Sequence, residues 1–171
     1  MKIAYLILSV IMILASCKKA KEPSIEKVNA DIQKDLLVNS GKVTITNGVW
    51  GTVSKKEGNC MPMIDVKNTS CTEYTIKREV RIYSYTPFSN AVPFNSSTVF
   101  FTSFNSQLIK SVITDEKGFF EANLPNGKYT IVMIEDGKLY ANRFSGEGGI
   151  SPVEVLNNKV MANLVLDYAA Y

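Results

Sequence analysis

The spacing of apolar residues changes twice along this chain. Residues 3–14 are predominantly apolar, preceded by the single charge of Lys2 and followed by the small pair Ala15 and Ser16. That run is too short to span a bilayer comfortably and reads as a signal peptide over residues 1–16, cut so that Cys17 comes first. Between residues 18 and 41 the chain is polar and charged. Ile25, Val28, Ile32 and Leu36 recur there at helical spacing, with Ser24 placed to cap and Gly41 to stop the helix. Residues 17–41 therefore read as a tether containing a short amphipathic helix. Its apolar stripe either packs on the chain's own domain, the reading favoured here, or docks on a partner.

From Lys42 to the end the period drops to two. The runs KVTITNGVWGTVS, VRIYSYT, STVFFTSF, SQLIKSVIT, GFFEANL, KYTIVMIE, KLYANRF, SPVEVL and KVMANLVLDY are separated by Gly, Pro, Asn and Asp turn chemistry. Eight or nine short strands without a long helix between them predict an all-β fold over residues 42–171, an Ig-like antiparallel β-sandwich with one core. In KYTIVMIE both alternating faces are apolar, which predicts a central strand. Asp136-Gly137 supplies the positive φ of a two-residue hairpin turn into KLYAN. The stretches between Cys60 and Arg78 and between Thr86 and Ser97 lack alternation and read as long loops, where binding surfaces usually sit.

The order of charge, apolar run, small residues and cysteine gives Leu14-Ala15-Ser16-Cys17, which resembles a bacterial lipobox. The resemblance implies that Cys17 carries a diacylglyceryl thioether, that the chain is cut before it, and that its new amine is acylated. Two or more acyl chains give stable anchoring where one would be marginal. A bacterial envelope protein held in membrane lipid through Cys17 follows, with the outer membrane favoured by the absence of Asp just after the cysteine. Periplasmic and outward-facing orientations both stay open.

Cysteine arithmetic fits this compartment. The chain has three cysteines, at 17, 60 and 71. With Cys17 lipidated, Cys60 and Cys71 are expected to form a disulfide in an oxidising envelope, ahead of a two-thiolate metal site or a redox pair.

Composition then narrows the chemistry. The chain carries 19 basic and 16 acidic residues and no histidine. That charge balance argues against nucleic-acid binding, which needs a basic face. Without histidine, a Ser-His-Asp or Cys-His device cannot be built, and the commonest zinc and non-haem iron ligand is missing. Asp115, Glu116, Glu135, Asp136, Glu147 and Glu154 sit near turns but form no calcium-loop pattern, so they read as solvated acids, and no metal, cofactor or catalytic residue is assigned. Trp50, Tyr83, Tyr85, Phe100, Phe101, Tyr140, Tyr168 and Tyr171 could form a sugar platform, though core packing accounts for most of them.

The segment TDEKGFFEANLPNGKYTIVM, Thr114 to Met133, resembles the signature of carboxypeptidase regulatory-like domains, which are transthyretin-like sandwiches. The matching positions are Thr114, Asp115, Gly118, Phe120, Leu124, Gly127 and Tyr129, with Gly51-Thr52-Val53 at the family's opening step. The resemblance implies a fold more than an activity. The enzymes of related sandwiches use histidines that are absent here. The expectation is a non-enzymatic module binding an envelope protein or glycan, or serving envelope structure. The alternative is a histidine-independent carboxylate enzyme acting on carbohydrate.

Overall fold

The computed structural model describes residues 25–61 and 70–171, with side chains of the first helix from residue 31. Residues 1–16, expected to be a signal peptide, and Cys17 lie outside the described residues. Among the described residues, one α-helix, α1 (Ile25–Ser40), precedes twelve strands. They are β1 (Gly48–Asn59), β2 (Thr72–Thr75), β3 (Glu79–Ser84), β4 (Ala91–Pro93), β5 (Phe100–Phe104), β6 (Leu108–Ile113), β7 (Phe119–Asn123), β8 (Gly127–Glu135), β9 (Lys138–Tyr140), β10 (Pro152–Val155), β11 (Lys159–Met161) and β12 (Leu164–Ala170).

The strands form two sheets of five and seven strands packed together. β1 organises the first. Its opening half lies between β7 and β11, and its closing half between β2 and β12. The pairings with β11 and β12 are parallel, so this sheet is mixed, whereas the sequence pattern predicts an antiparallel sandwich. Alternation reports which face a residue takes but not the direction of the neighbouring strand. The second sheet runs β4-β5-β9-β8-β3-β6, with β10 paired to the start of β8, and is antiparallel throughout.

β8 explains the double-sided apolar pattern. Tyr129, Ile131 and Met133 face the first sheet, where they meet Val49, Val53, Phe120, Leu164 and Leu166. Val132 points the other way, into a second cluster with Tyr83, Phe101, Phe104, Leu139, Ala141 and Ile150. The sequence predicts one core; the second arises because the chain around residues 86–99 and 141–151 folds back over the outer face of the seven-stranded sheet. A Pro87–Gly149 bridge ties those two segments to each other, and a Phe144–Ile150 bridge closes the second segment on itself. The Asp136-Gly137 turn has both residues at positive φ, 48° and 73°, as a tight hairpin between twisted strands requires.

Two expected elements move. Residues 42–47, read from sequence as the start of a strand, run as a strap held by Glu121, whose carboxylate accepts the Thr44 and Ile45 amides and the Thr44 hydroxyl. β1 instead continues to Asn59 through Lys55, Lys56 and Glu57, because β2 and β12 supply ladders on both sides. The final run splits into β11 and β12 where the side chain of Asn163 accepts the Thr52 amide at 2.9 Å.

α1 lies against β1 and β2. Ile32 is buried, as is Asn39, whose amide group donates to Thr52 Oγ1 at 2.9 Å and to the Lys117 carbonyl at 2.8 Å. Asp35 accepts from Thr75 Oγ1 and pairs with Lys117. Inward positions 32, 35, 36 and 39 repeat at helical spacing, so this described part of the stripe packs on β1 and β2.

Candidate functional site

Two regions gather polar chemistry, one at each end of the sandwich. The first is the end where β1 stops and β2 begins. Cys60 and Cys71 are joined there by a disulfide with Cα atoms 4.7 Å apart. Reducing it should lower stability by about 3 kcal/mol in the chain-entropy picture for so short a loop. A urea titration with and without reductant measures this, and coincident curves would show that the crosslink constrains nothing.

Beside the disulfide, the core-facing side of β1 and β12 runs on past the apolar core and becomes polar. Lys55 pairs with Glu57 at 2.6 Å, Tyr74 donates to Glu57 at 2.9 Å, and the Lys55 ammonium lies over the Tyr168 ring. Glu57 raises the Lys55 pKa, and Lys55 with Tyr74 lowers that of Glu57. Across the sheets, Glu135 is buried, accepts from Arg78 Nε at 2.7 Å and faces the Tyr168 hydroxyl. Every charged group in this network has a partner, which fits a fixed strut better than a binding site.

At the opposite end, a cleft of about 240 Å³ is lined by Tyr85, Lys128, Ser145, Glu147, Pro152, Val153 and Glu154. Three adjacent strands build its floor. Glu154 lies opposite Lys128 in the β10–β8 ladder, and the Tyr85 amide donates to the Lys128 carbonyl just beyond β3. The turn carrying Ser145 and Glu147 forms the wall. It is closed by the Gly148 amide on the Ser145 carbonyl and the Gly149 amide on Ser145 Oγ. The Tyr85 ring lies so close to Gly149 that a Cβ there would sit 2.6 Å from it, which fixes the ring against the wall. Among the described residues, no ion pair or hydrogen bond engages the side chains of Lys128, Glu147 or Glu154. Two carboxylates, an ammonium and a phenol therefore face one opening, a set suited to a small polar ligand such as a sugar.

The other sequence-marked acids are spent structurally. Asp115 Oδ1 accepts the Lys117 and Phe119 amides, closing the turn before β7, while Oδ2 meets Lys42 at 2.7 Å. Burial pushes the Asp115 carboxyl up, but Lys42 and the two amides outweigh it and leave its pKa below the usual aspartate value. Thr44 lowers that of Glu121. A carboxyl with a depressed folded-state pKa stabilises above its unfolded value and loses that contribution as pH falls through the folded one. Stability should therefore decline from about pH 4 downward, with a shallower decline in an Asp115→Asn, Glu121→Gln variant. Thermal melts across that range test it, and identical slopes in the two proteins would refute the assignment.

Glu116 pairs with Lys77, and among the described residues no cluster of acids and cysteines could hold a metal ion. Of the sequence-marked aromatics, Tyr83, Phe101 and Tyr140 are buried, Tyr85 enters the cleft, and Tyr168 and Tyr171 stand at the disulfide end. Sequence reasoning flagged Glu147, Glu154 and Tyr85 separately and missed Lys128 and Ser145. No described helix is long and apolar enough to cross a membrane. Compared with known proteins, the chain matches no family model, no curated protein and no solved structure.

Proposed function

We propose that this chain is a bacterial envelope lipoprotein whose sandwich is a non-enzymatic binding module, held in membrane lipid through Cys17 and offering the cleft around Tyr85 to a glycan or protein partner. The observation that carries the reading is Cys17 itself, placed directly after a signal-like run and two small residues. The Cys60–Cys71 disulfide supports an oxidising compartment. A carboxypeptidase regulatory-like module remains the proposed domain type. Its marked residues make turns and core here, with Asp115 closing the turn, Phe120, Leu124 and Tyr129 buried, and the Tyr129 hydroxyl donating to the Pro125 carbonyl at 2.9 Å. That last bond resembles a tyrosine corner.

Replacing Cys17 with serine tests the anchor. The expected result is loss of the protein from the membrane fraction with an unchanged fold; retention in the membrane would remove the basis of the reading. One observation favours the carboxylate-enzyme alternative, because Glu147 and Glu154 line the same cleft. Oligosaccharide cleavage abolished by Glu147→Gln or Glu154→Gln would establish that alternative, and binding without turnover would favour the module.

A further inference from the structure

The direction of α1 fixes which end of the sandwich carries the start of the helix. Asn39 bonds Thr52, while Asp35, four residues earlier, bonds Thr75, which lies opposite Ser54 in the β1–β2 ladder. Moving backward along the helix therefore means moving forward along β1, toward the disulfide. Ile25 lies ten residues before Asp35, or about 15 Å at the helical rise. That distance corresponds to four or five strand residues and brings the start of the helix level with Gly58, beside the bridged end.

The cleft occupies the other end. Val155 pairs with Gly127 there, and the Gly48 amide donates to the Asn158 carbonyl, placing the 156–158 turn at the start of β1. From Gly58 to Gly48 is ten strand residues, roughly 34 Å.

We infer that the disulfide end faces the bilayer surface and that the cleft end is held away from it. This rests on the Cys17 anchor reading. Seven residues lie between Cys17 and Ile25, and the eight Cα-to-Cα steps that join them span at most about 29 Å when fully extended. Pressing the cleft end onto the membrane would require the start of α1 to stand roughly 34 Å above it, further than the connection reaches. The side chains that meet the headgroup region are then Met61, Tyr168 and Tyr171, all exposed, with Lys55 and Lys56 beside them. Tyrosine and lysine are the residue types that suit a membrane interface. The cleft stays open to partners beyond the anchoring leaflet.

The test uses the full chain in its membrane, carrying one introduced thiol. Tyr171→Cys and Leu156→Cys place that thiol at the bridged and cleft ends, at side chains 64% and 61% exposed. Each is labelled with a donor dye, and energy transfer to an acceptor lipid is read at matched acceptor density. Strong transfer from position 171, falling toward background at 156, is the expected shift. Equal transfer, or stronger transfer from 156, on protein whose mass shows acyl chains would overturn the orientation while leaving the anchor intact. Protein with no acyl chains would instead sink the anchor reading, and the inference with it.

Discussion

Phe120→Ala is expected to cost about 3–5 kcal/mol, the range for removing a large aromatic side chain from a core that cannot collapse around the gap. Phe120 is 1% exposed and sits between the sheets, in the cluster that includes Val49, Val53, Ile131 and Leu166. Its neighbour Phe119 points to the opposite face of β7 and is only partly buried, so Phe119→Ala should cost a fraction of that amount. Urea titrations of the two variants decide the matter. A lowered midpoint with an unchanged slope for Phe120→Ala is the predicted result. A larger loss at Phe119 than at Phe120 would mean that the register of β7 against β1 is wrong by one residue.

Gly118→Ala is expected to destabilise by about 3 kcal/mol or more, because two costs fall on the same atom. Gly118 has φ of 70°, and an added Cβ would lie 2.3 Å from the Val53 carbonyl oxygen. Neither partner can give way easily, since the Val53 amide donates to the Gly118 carbonyl at 2.9 Å and Val53 is buried in the core. Gly137 separates the two effects. Its φ is 73°, but nothing lies within 4 Å of an added Cβ, so Gly137→Ala should cost only the left-handed backbone penalty of about 1–2 kcal/mol. Similar losses at both glycines would contradict the close approach of the Asp115–Gly118 turn to β1.

That turn also shows what the sequence made legible. Asp115, Gly118, Phe120, Leu124 and Tyr129 are local signals, each readable from its immediate neighbours, and each does in the structure what its residue type suggests. β8 was legible for the same reason, since apolar residues on both faces leave no solvent side for a strand to have. The α1 stripe was visible, and Ile32 with Asn39 shows the surface it covers.

What escaped the sequence is non-local. β2, with sequence TEYT, is only half-buried and forms because β1 offers it a ladder; alone it carries too little apolar alternation to be distinguished from a loop. The parallel partners of β1 come from more than a hundred residues downstream, and no alternation pattern encodes that pairing. The second apolar cluster depends on two segments with little regular structure, each of which looks like a surface loop until Phe88 stacks edge-on against both Phe101 and Phe144. The cleft is the clearest case. Tyr85, Lys128 and Glu154 become neighbours only through the β3–β8–β10 ladders, so their types gave separate hints and their spacing gave none.

In the proposed arrangement one cysteine holds the protein in lipid while the other two, Cys60 and Cys71, form the disulfide at one end of the sandwich. Intact mass of the membrane-extracted protein, with and without reduction before alkylation, tests it most directly. The expected result is loss of residues 1–16, added acyl mass, no alkylation before reduction and two alkylated thiols after it. A chain retaining residues 1–16 without acyl mass, or thiols at Cys60 and Cys71 that alkylate without reduction, would contradict it.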